Sequence, residues 1–259
     1  MRRICIAILI SAVLLPAASA QQPPKTGRDL LQTMHDAYAG RWFTTLIFTQ
    51  RTTKHLADGR DTVATWYESL RYTPEHGAQL RIDIGPPADG NGVLYTADSV
   101  QVFRAGKLTV ARTGGNALIP LIQGVYVQPV ERTIAELAPT GVDLSRRVLS
   151  DRWNDRPVWI AGAKSASDTA SPQFWVDVQT LAVVRAMLKP VPTAPVMDAQ
   201  LERLVRLGGG WLATRCEFYV GGKLTQTEEY GDWQANVVLS PELFEAATYA
   251  TAPHWAAPK

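Results

Sequence analysis

The chain has 259 residues with 26 basic and 24 acidic side chains, a formal net charge of +2. The two surplus positive charges, Arg2 and Arg3, stand at its very start, so the remainder is neutral with 24 charges of each sign. A neutral chain with no basic run excludes a nucleic-acid footprint and an electrostatic membrane patch.

Residues 1–20 have the three-part pattern of a cleaved secretory leader: Arg2-Arg3, an apolar run from Ile4 to Leu15, Pro16, and a small-residue Ala18-Ser19-Ala20 end. The run is too short to span a bilayer, and no later stretch approaches the length of a membrane helix. The only cysteine of the leader, Cys5, is not at the cleavage point, so a lipid anchor is not expected. The arginine pair lacks the rest of a twin-arginine signal. These features predict a periplasmic, soluble product that begins at Gln21. Its one cysteine, Cys216, has no partner for an internal disulfide. No linker divides the remainder, which reads as one domain over 21–249 with a flexible Ala/Pro-rich tail at 250–259.

In chain order, Thr26 to Gly40 predicts a helix: Thr26 with Asp29 resembles a capping box, Leu30, Met34 and Tyr38 recur at helical spacing, and Gly40 stops it. The period then changes to two. Trp66, Leu70 and Tyr72 share one side of a segment, and Leu80, Ile82 and Ile84 alternate with Arg81 and Asp83, the pattern of a strand with one wet face. Turn signals at Asp58-Gly59, Gly85-Pro86-Pro87, Asp89-Gly90-Asn91-Gly92, Ala97-Asp98, Ala105-Gly106, Asn154-Asp155 and Gly221-Gly222 punctuate a long antiparallel meander. Strands are predicted near 43–54, 61–72, 79–85, 92–96, 99–104, 107–112, 144–151, 156–163, 173–178, 182–189, 199–207, 211–220 and 223–231. Between Asn116 and Pro139 the meander gives way to short apolar helices carrying Leu118, Ile119, Leu121, Ile122, Val130, Ile134 and Leu137. A last helical turn is predicted at Ser240-Pro241, packing Leu243 and Phe244.

So many strands must curl, and a curled sheet needs an apolar partner in its concavity. The fold class is therefore α+β, mainly antiparallel β: a strongly curved, incomplete β-barrel with an N-terminal helix and short helices lidding the concave face. Incomplete filling leaves an apolar cavity under the lid.

Chemistry is sparse. There is no Gly-x-Ser-x-Gly elbow, no His-Glu-x-x-His pattern and no phosphate loop, and the sequence implies no cofactor and no metal site. His35, His55, His76 and His254 read as solvated surface residues, and Cys216 as a small apolar residue on a strand. Asp58, Asp89, Asp98 and Asp155 fall in turns. The eight tryptophans are spread along the chain and read mostly as sheet-face core, with a carbohydrate platform as the functional alternative.

Taken in order, several segments resemble the outer-membrane lipoprotein carrier (LolA-like) family: Asp29-Leu30-Leu31 leading into Phe48-Thr49-Gln50, then Leu80-Arg81-Ile82-Asp83-Ile84, the hairpin Val93 to Asp98 with Val100 to Phe103, the lid at Asn116 to Ile122, and Phe174-Trp175-Val176-Asp177 with Leu181 to Leu188. The resemblance implies a non-enzymatic carrier of hydrophobic cargo, namely lipid or lipoprotein acyl chains, with transient inner- and outer-membrane protein partners. On the apolar faces, the side chains expected to line cavity or lid are Phe48, Trp66, Leu70, Leu80, Ile82 and Ile84 from the early strands, Ile119 and Ile122 from the lid, and Phe174 and Met187 from the late strands, with plain core as the alternative for each, since the same face serves both. The carriers place a gating arginine directly before a proline; here Thr73 precedes Pro74, and Arg71 is the nearest candidate. The alternative reading is an envelope signalling or assembly module that binds a protein partner and holds no lipid.

Overall fold

The computed structural model describes residues 22–191 and 193–256, so the predicted leader, Gln21 and residues 257–259 of the predicted tail lie outside the described residues. Helix α1 (Gly27–Tyr38) starts at the predicted capping box: the Thr26 hydroxyl accepts from the Asp29 amide at 3.2 Å, and the Asp29 carboxylate accepts from the Thr26 amide at 3.0 Å. Its apolar stripe, Leu30, Leu31 and Met34, is wholly buried.

The chain then builds one 13-stranded antiparallel sheet. Six strands step outward from the centre: β1 (Thr45–His55), β2 (Asp61–Thr73), β3 (Gly77–Ile84), β4 (Gly92–Tyr95), β5 (Ser99–Arg104) and β6 (Lys107–Thr113). After β6 the chain crosses the concave face through a π-helical turn (Pro120–Gly124), the short helix α2 (Val125–Val127) and α3 (Val130–Leu137). It re-enters the sheet at the opposite edge and steps back inward as β7 (Leu149–Trp153), β8 (Arg156–Ala161), β9 (Gln173–Asp177), β10 (Val183–Leu188), β11 (Met197–Leu207), β12 (Gly210–Val220) and β13 (Lys223–Ala235). The last strand pairs with the first, Thr52 opposite Glu228 and Gln50 opposite Tyr230. The two halves of the meander thus join at the centre and leave β6 and β7 as open edges, the half-barrel expected. This crossover carries the chain from one edge to the other and places the lid over the concavity.

Hairpin chemistry sets the register. Ala105-Gly106, Asn154-Asp155, Gly208-Gly209 and Gly221-Gly222 all have both residues at positive φ, the type I′ geometry whose twist matches paired strands. Where the predicted seventh strand was to begin, residues 144–148 instead run beside the start of α1. Arg28 donates its amide to the Leu144 carbonyl at 3.2 Å, Val148 donates to Lys25 at 3.1 Å, and Thr26 bridges Arg147. This local tie delays β7 to Leu149.

β3 is buried along nearly its whole length, Arg81 and Asp83 included, so it has no wet face. The reason is the C-terminal segment, which does not fray at Ala250 as its Ala/Pro composition suggests. A 3-10 turn (Pro241–Phe244) buries Leu243 and Phe244, Tyr249 stacks on Phe103 with ring centroids 3.8 Å apart, His254 bonds Asp83 at 3.1 Å, and the Trp255 indole donates to Ser69 at 2.9 Å. This strap covers the convex face of β2 to β5. The Tyr249 hydroxyl donates to the Ile82 carbonyl at 3.0 Å, an approach open only because position 92 is glycine: a Cβ there would stand 2.3 Å from that hydroxyl. His254 is accordingly a buried partner of a carboxylate, not a solvated histidine. His35 is also engaged, its Nδ1 lying 3.0 Å from the Val125 carbonyl oxygen.

Candidate functional site

Alternation along β1 to β3 sends one set of side chains to the concave face, and the lid does not reach all of them. Between sheet and lid lies a cavity of about 470 Å³, within the range of roughly 300–1,000 Å³ usual for small-ligand sites. Its floor carries Phe48, Trp66, Leu70, Leu80 and Ile82; its roof carries Leu118, Ile119 and Ile122; its far wall carries Leu201, Trp211, Leu212 and Phe218.

The remaining residues predicted to line it lie elsewhere. Ile84 shares the face of Leu80 and Ile82 but packs at the rim of the core, outside the cavity lining. Phe174 is wholly buried in solid core with Val176 and Ala186, where α1 and the lid fill the concavity. Met187 alternates with Ala186 and Leu188, which belong to that core, so it points to the other face of β10. Arg71 is also on the far side: its guanidinium donates to Gln79 at 2.8 Å and lies 4.4 Å from the Phe244 ring centroid, under the C-terminal strap. It has no access to the lid.

An arginine does tie the lid to the sheet, and it comes from the lid. Arg132 of α3 donates to the Pro74 carbonyl in the β2–β3 turn at 3.1 Å and pairs with Glu136 at 3.0 Å. The opposite end of the lid is held by aromatic rings. Trp42 stacks on Tyr126 at 3.7 Å and donates to Gln123 at 3.0 Å; Gln123 donates to the Phe43 carbonyl at 2.8 Å; the Tyr126 hydroxyl donates to the Leu181 carbonyl at 2.8 Å. The π-helical turn, which itself carries the Gln123 anchor, presents Ile122 to the cavity, a local irregularity of the type that recurs at functional sites.

Sequence reasoning missed the polar groups of this cavity. Glu68 and Glu228 both line it and are 5 % and 7 % exposed. The Glu228 carboxylate accepts from the Tyr230 hydroxyl and the Gln226 amide. Burial pushes the Glu228 carboxyl up to about 7, although Tyr230, Gln226 and Gln50 pull the other way. Burial, reinforced by the negative charge of Glu228, holds Glu68 well above the usual carboxylate range. Glu68 had a legible signal, since it occupies the apolar register position between Trp66 and Leu70. Cys216 stands opposite Glu228 on β12, buried, and burial raises its thiol far enough to keep it un-ionised. Among the described residues no group of three or more His, Cys, Asp or Glu stands close enough to hold a metal ion. No described helix is long and apolar enough to cross a membrane.

The raised Glu228 has a consequence for stability. From about pH 4.5 to about 7 this carboxyl is protonated in the folded chain and ionised in the unfolded one, so stability falls as pH rises through that window. Glu228→Gln is expected to remove that fall. It should match the parent near pH 4 and exceed it near pH 8 by up to about 3 kcal/mol. Thermal melts across pH check this, and identical pH profiles for parent and variant would contradict it.

No protein-family model and no curated protein sequence matches the chain. Solved structures do. A DUF1329 family protein from Desulfovibrio piger superposes with a TM-score of 0.59 at 14% identity, covering 86% of this chain and 97% of that one. A domain assigned to outer membrane lipoprotein sorting, from Vibrio parahaemolyticus, gives 0.60 at 11% identity over 86% and 98% of the two chains. A LolA superfamily protein from Nitrosomonas europaea gives 0.51 at 15% identity over 85% and 97%. The chain shares their fold along almost their entire length.

Proposed function

We propose that the protein is a periplasmic carrier that holds the hydrophobic chain of a lipid or lipoprotein between its curved sheet and its helical lid, without catalysis. The observation that carries this reading is the apolar cavity beneath the lid, roofed by Ile119 and Ile122 and floored by Leu70, Leu80 and Ile82. The leader pattern at 1–20 and the fold shared with a lipoprotein-sorting domain support it. Each methylene moved from water into such a space gains about 0.8 kcal/mol, so one acyl chain supplies ample affinity. Transfer then needs the lid to open toward an acceptor protein in the membrane, not a chemical step.

The test is uptake of N-phenyl-1-naphthylamine, a neutral apolar dye, followed by displacement with a long-chain alcohol. The expected result is saturable binding at one site per chain and full displacement. No uptake would overturn the carrier reading. It would leave the second reading, a module that engages an envelope protein, which the open edge strand β6 favours with Leu108 and Val110 about half exposed. The lid tie gives a kinetic corollary. Arg132→Ala removes the bond to Pro74 and is expected to speed dye release by roughly fivefold, read by stopped-flow displacement; an unchanged rate would show that Arg132 does not latch the lid.

A further inference from the structure

The cavity floor carries carboxyl groups for which an apolar chain alone has no use. Glu68 projects from β2 between Trp66 and Leu70, is 5 % exposed, faces the cavity, and has no hydrogen bond or ion pair with any described residue. Leaving a buried polar group without a partner is costly, and a charged one more so. Glu228 faces the same space from β13, held by Tyr230 and Gln226, and ionisation of either carboxyl opposes that of the other. The other titratable groups facing this space, apart from the arginine named next, are Tyr95 from β4, Tyr126 from the lid and Tyr230 from β13, none of which carries positive charge. Among the described residues, the single cationic side chain of the lining, Arg112, stands on the exposed edge strand β6.

We propose that the cavity takes amphiphiles whose polar end is a cationic amine, the ammonium group docking on Glu68 and Glu228 and the chain running between Trp66, Leu80 and Ile122. This deepens the hydrophobic-chain reading and rests on it. An ammonium supplies the donors that Glu68 lacks and a positive charge that favours ionisation of the cavity carboxyls. A carboxylate or phosphate end would bring negative charge to a floor whose carboxyls already oppose each other's ionisation. Aliphatic alcohols satisfy the hydrogen bond without the charge and fall between.

The experiment displaces N-phenyl-1-naphthylamine with three ligands of equal chain length, dodecylamine, dodecanol and dodecanoate, each below its micelle concentration at fixed ionic strength. The amine is expected to bind roughly tenfold more tightly than the alcohol, with dodecanoate weakest. Glu68→Gln is expected to collapse the amine-over-alcohol preference to roughly twofold, and Glu228→Gln to shift it the same way. Glu229→Gln, at a half-exposed position on the other face of β13, should keep the parental ratio and serves as the control for folding. Dodecanoate binding as tightly as dodecylamine, or a ratio untouched by both cavity variants, overturns the amine proposal while the alcohol's binding leaves the carrier reading standing. Failure of all three ligands to bind overturns both.

Discussion

The Ile122→Trp variant is expected to fold as the parent does and to take up no apolar dye. Ile122 sits on the π-helical turn of the lid, partly exposed, with its side chain on the cavity. An indole in its place projects into the space a ligand would occupy, and filling a pre-existing void tends to stabilise a fold by about 0.5–2 kcal/mol. Binding should weaken by at least roughly a hundredfold, with an unchanged or raised melting temperature. The matching control is Leu108→Trp on the exposed edge strand β6, which adds the same ring away from the cavity and should leave uptake at the parental level. Parental affinity in the Ile122 variant would mean that the dye binds elsewhere.

The largest stability effect is expected at Asp83. On the convex face, Arg81 and Asp83 form a two-pronged ion pair, both bonds 2.8 Å, with side chains 2 % and 0 % exposed. Burial alone would raise the Asp83 carboxyl, but Arg81 and His254 outweigh it and hold the carboxyl below its usual range. The guanidinium also lies 4.0 Å from the Tyr249 ring centroid and donates to the Leu243 carbonyl at 3.3 Å, so the pair anchors the strap. Asp83→Asn leaves a buried guanidinium uncompensated, a loss of about 3–5 kcal/mol and a fall in melting temperature of roughly 10 °C for a chain of this size. Because the folded carboxyl is depressed, its contribution is present above the ordinary carboxylate range and lost as acid titrates it; the variant should lack that acid-side decline. Replacing both partners, Arg81→Met with Asp83→Leu, should recover much of the loss, since a well-packed apolar pair removes the orphaned charge. A melting temperature unchanged by Asp83→Asn would show that the strap is held by its apolar contacts alone.

Local signals in the sequence sufficed for most of the architecture. The Thr26/Asp29 pair announced the start of α1, and two-residue turns such as Asn154-Asp155 set the strand boundaries, because both are decided by residues a few positions apart. The misplacements share a long-range cause. Phe174 and Met187 have the same alternation as Leu80 and Ile82, yet whether an apolar side chain meets a void, solid core or the far face depends on how far the lid and α1 reach across the sheet. The segment after Ala250 has the composition of a frayed end, but His254 and Trp255 find Asp83 and Ser69, partners more than half the chain away. Those same contacts turn β3 from a strand with one wet face into one buried on both. Glu68 broke the apolar alternation of β2 in plain view; its meaning depended on Glu228 reaching the same cavity from the other end of the chain.

The central claim, that the cavity carries a hydrophobic chain, is tested most directly by native mass spectrometry of the protein purified from the cells that produce it. Spectra recorded first under gentle and then under harsh activation should show a lipid-sized mass bound to the chain that leaves on activation, and Ile122→Trp should show none. A protein that emerges without such a mass, and that also binds none when incubated with a bacterial lipid extract, would contradict the account.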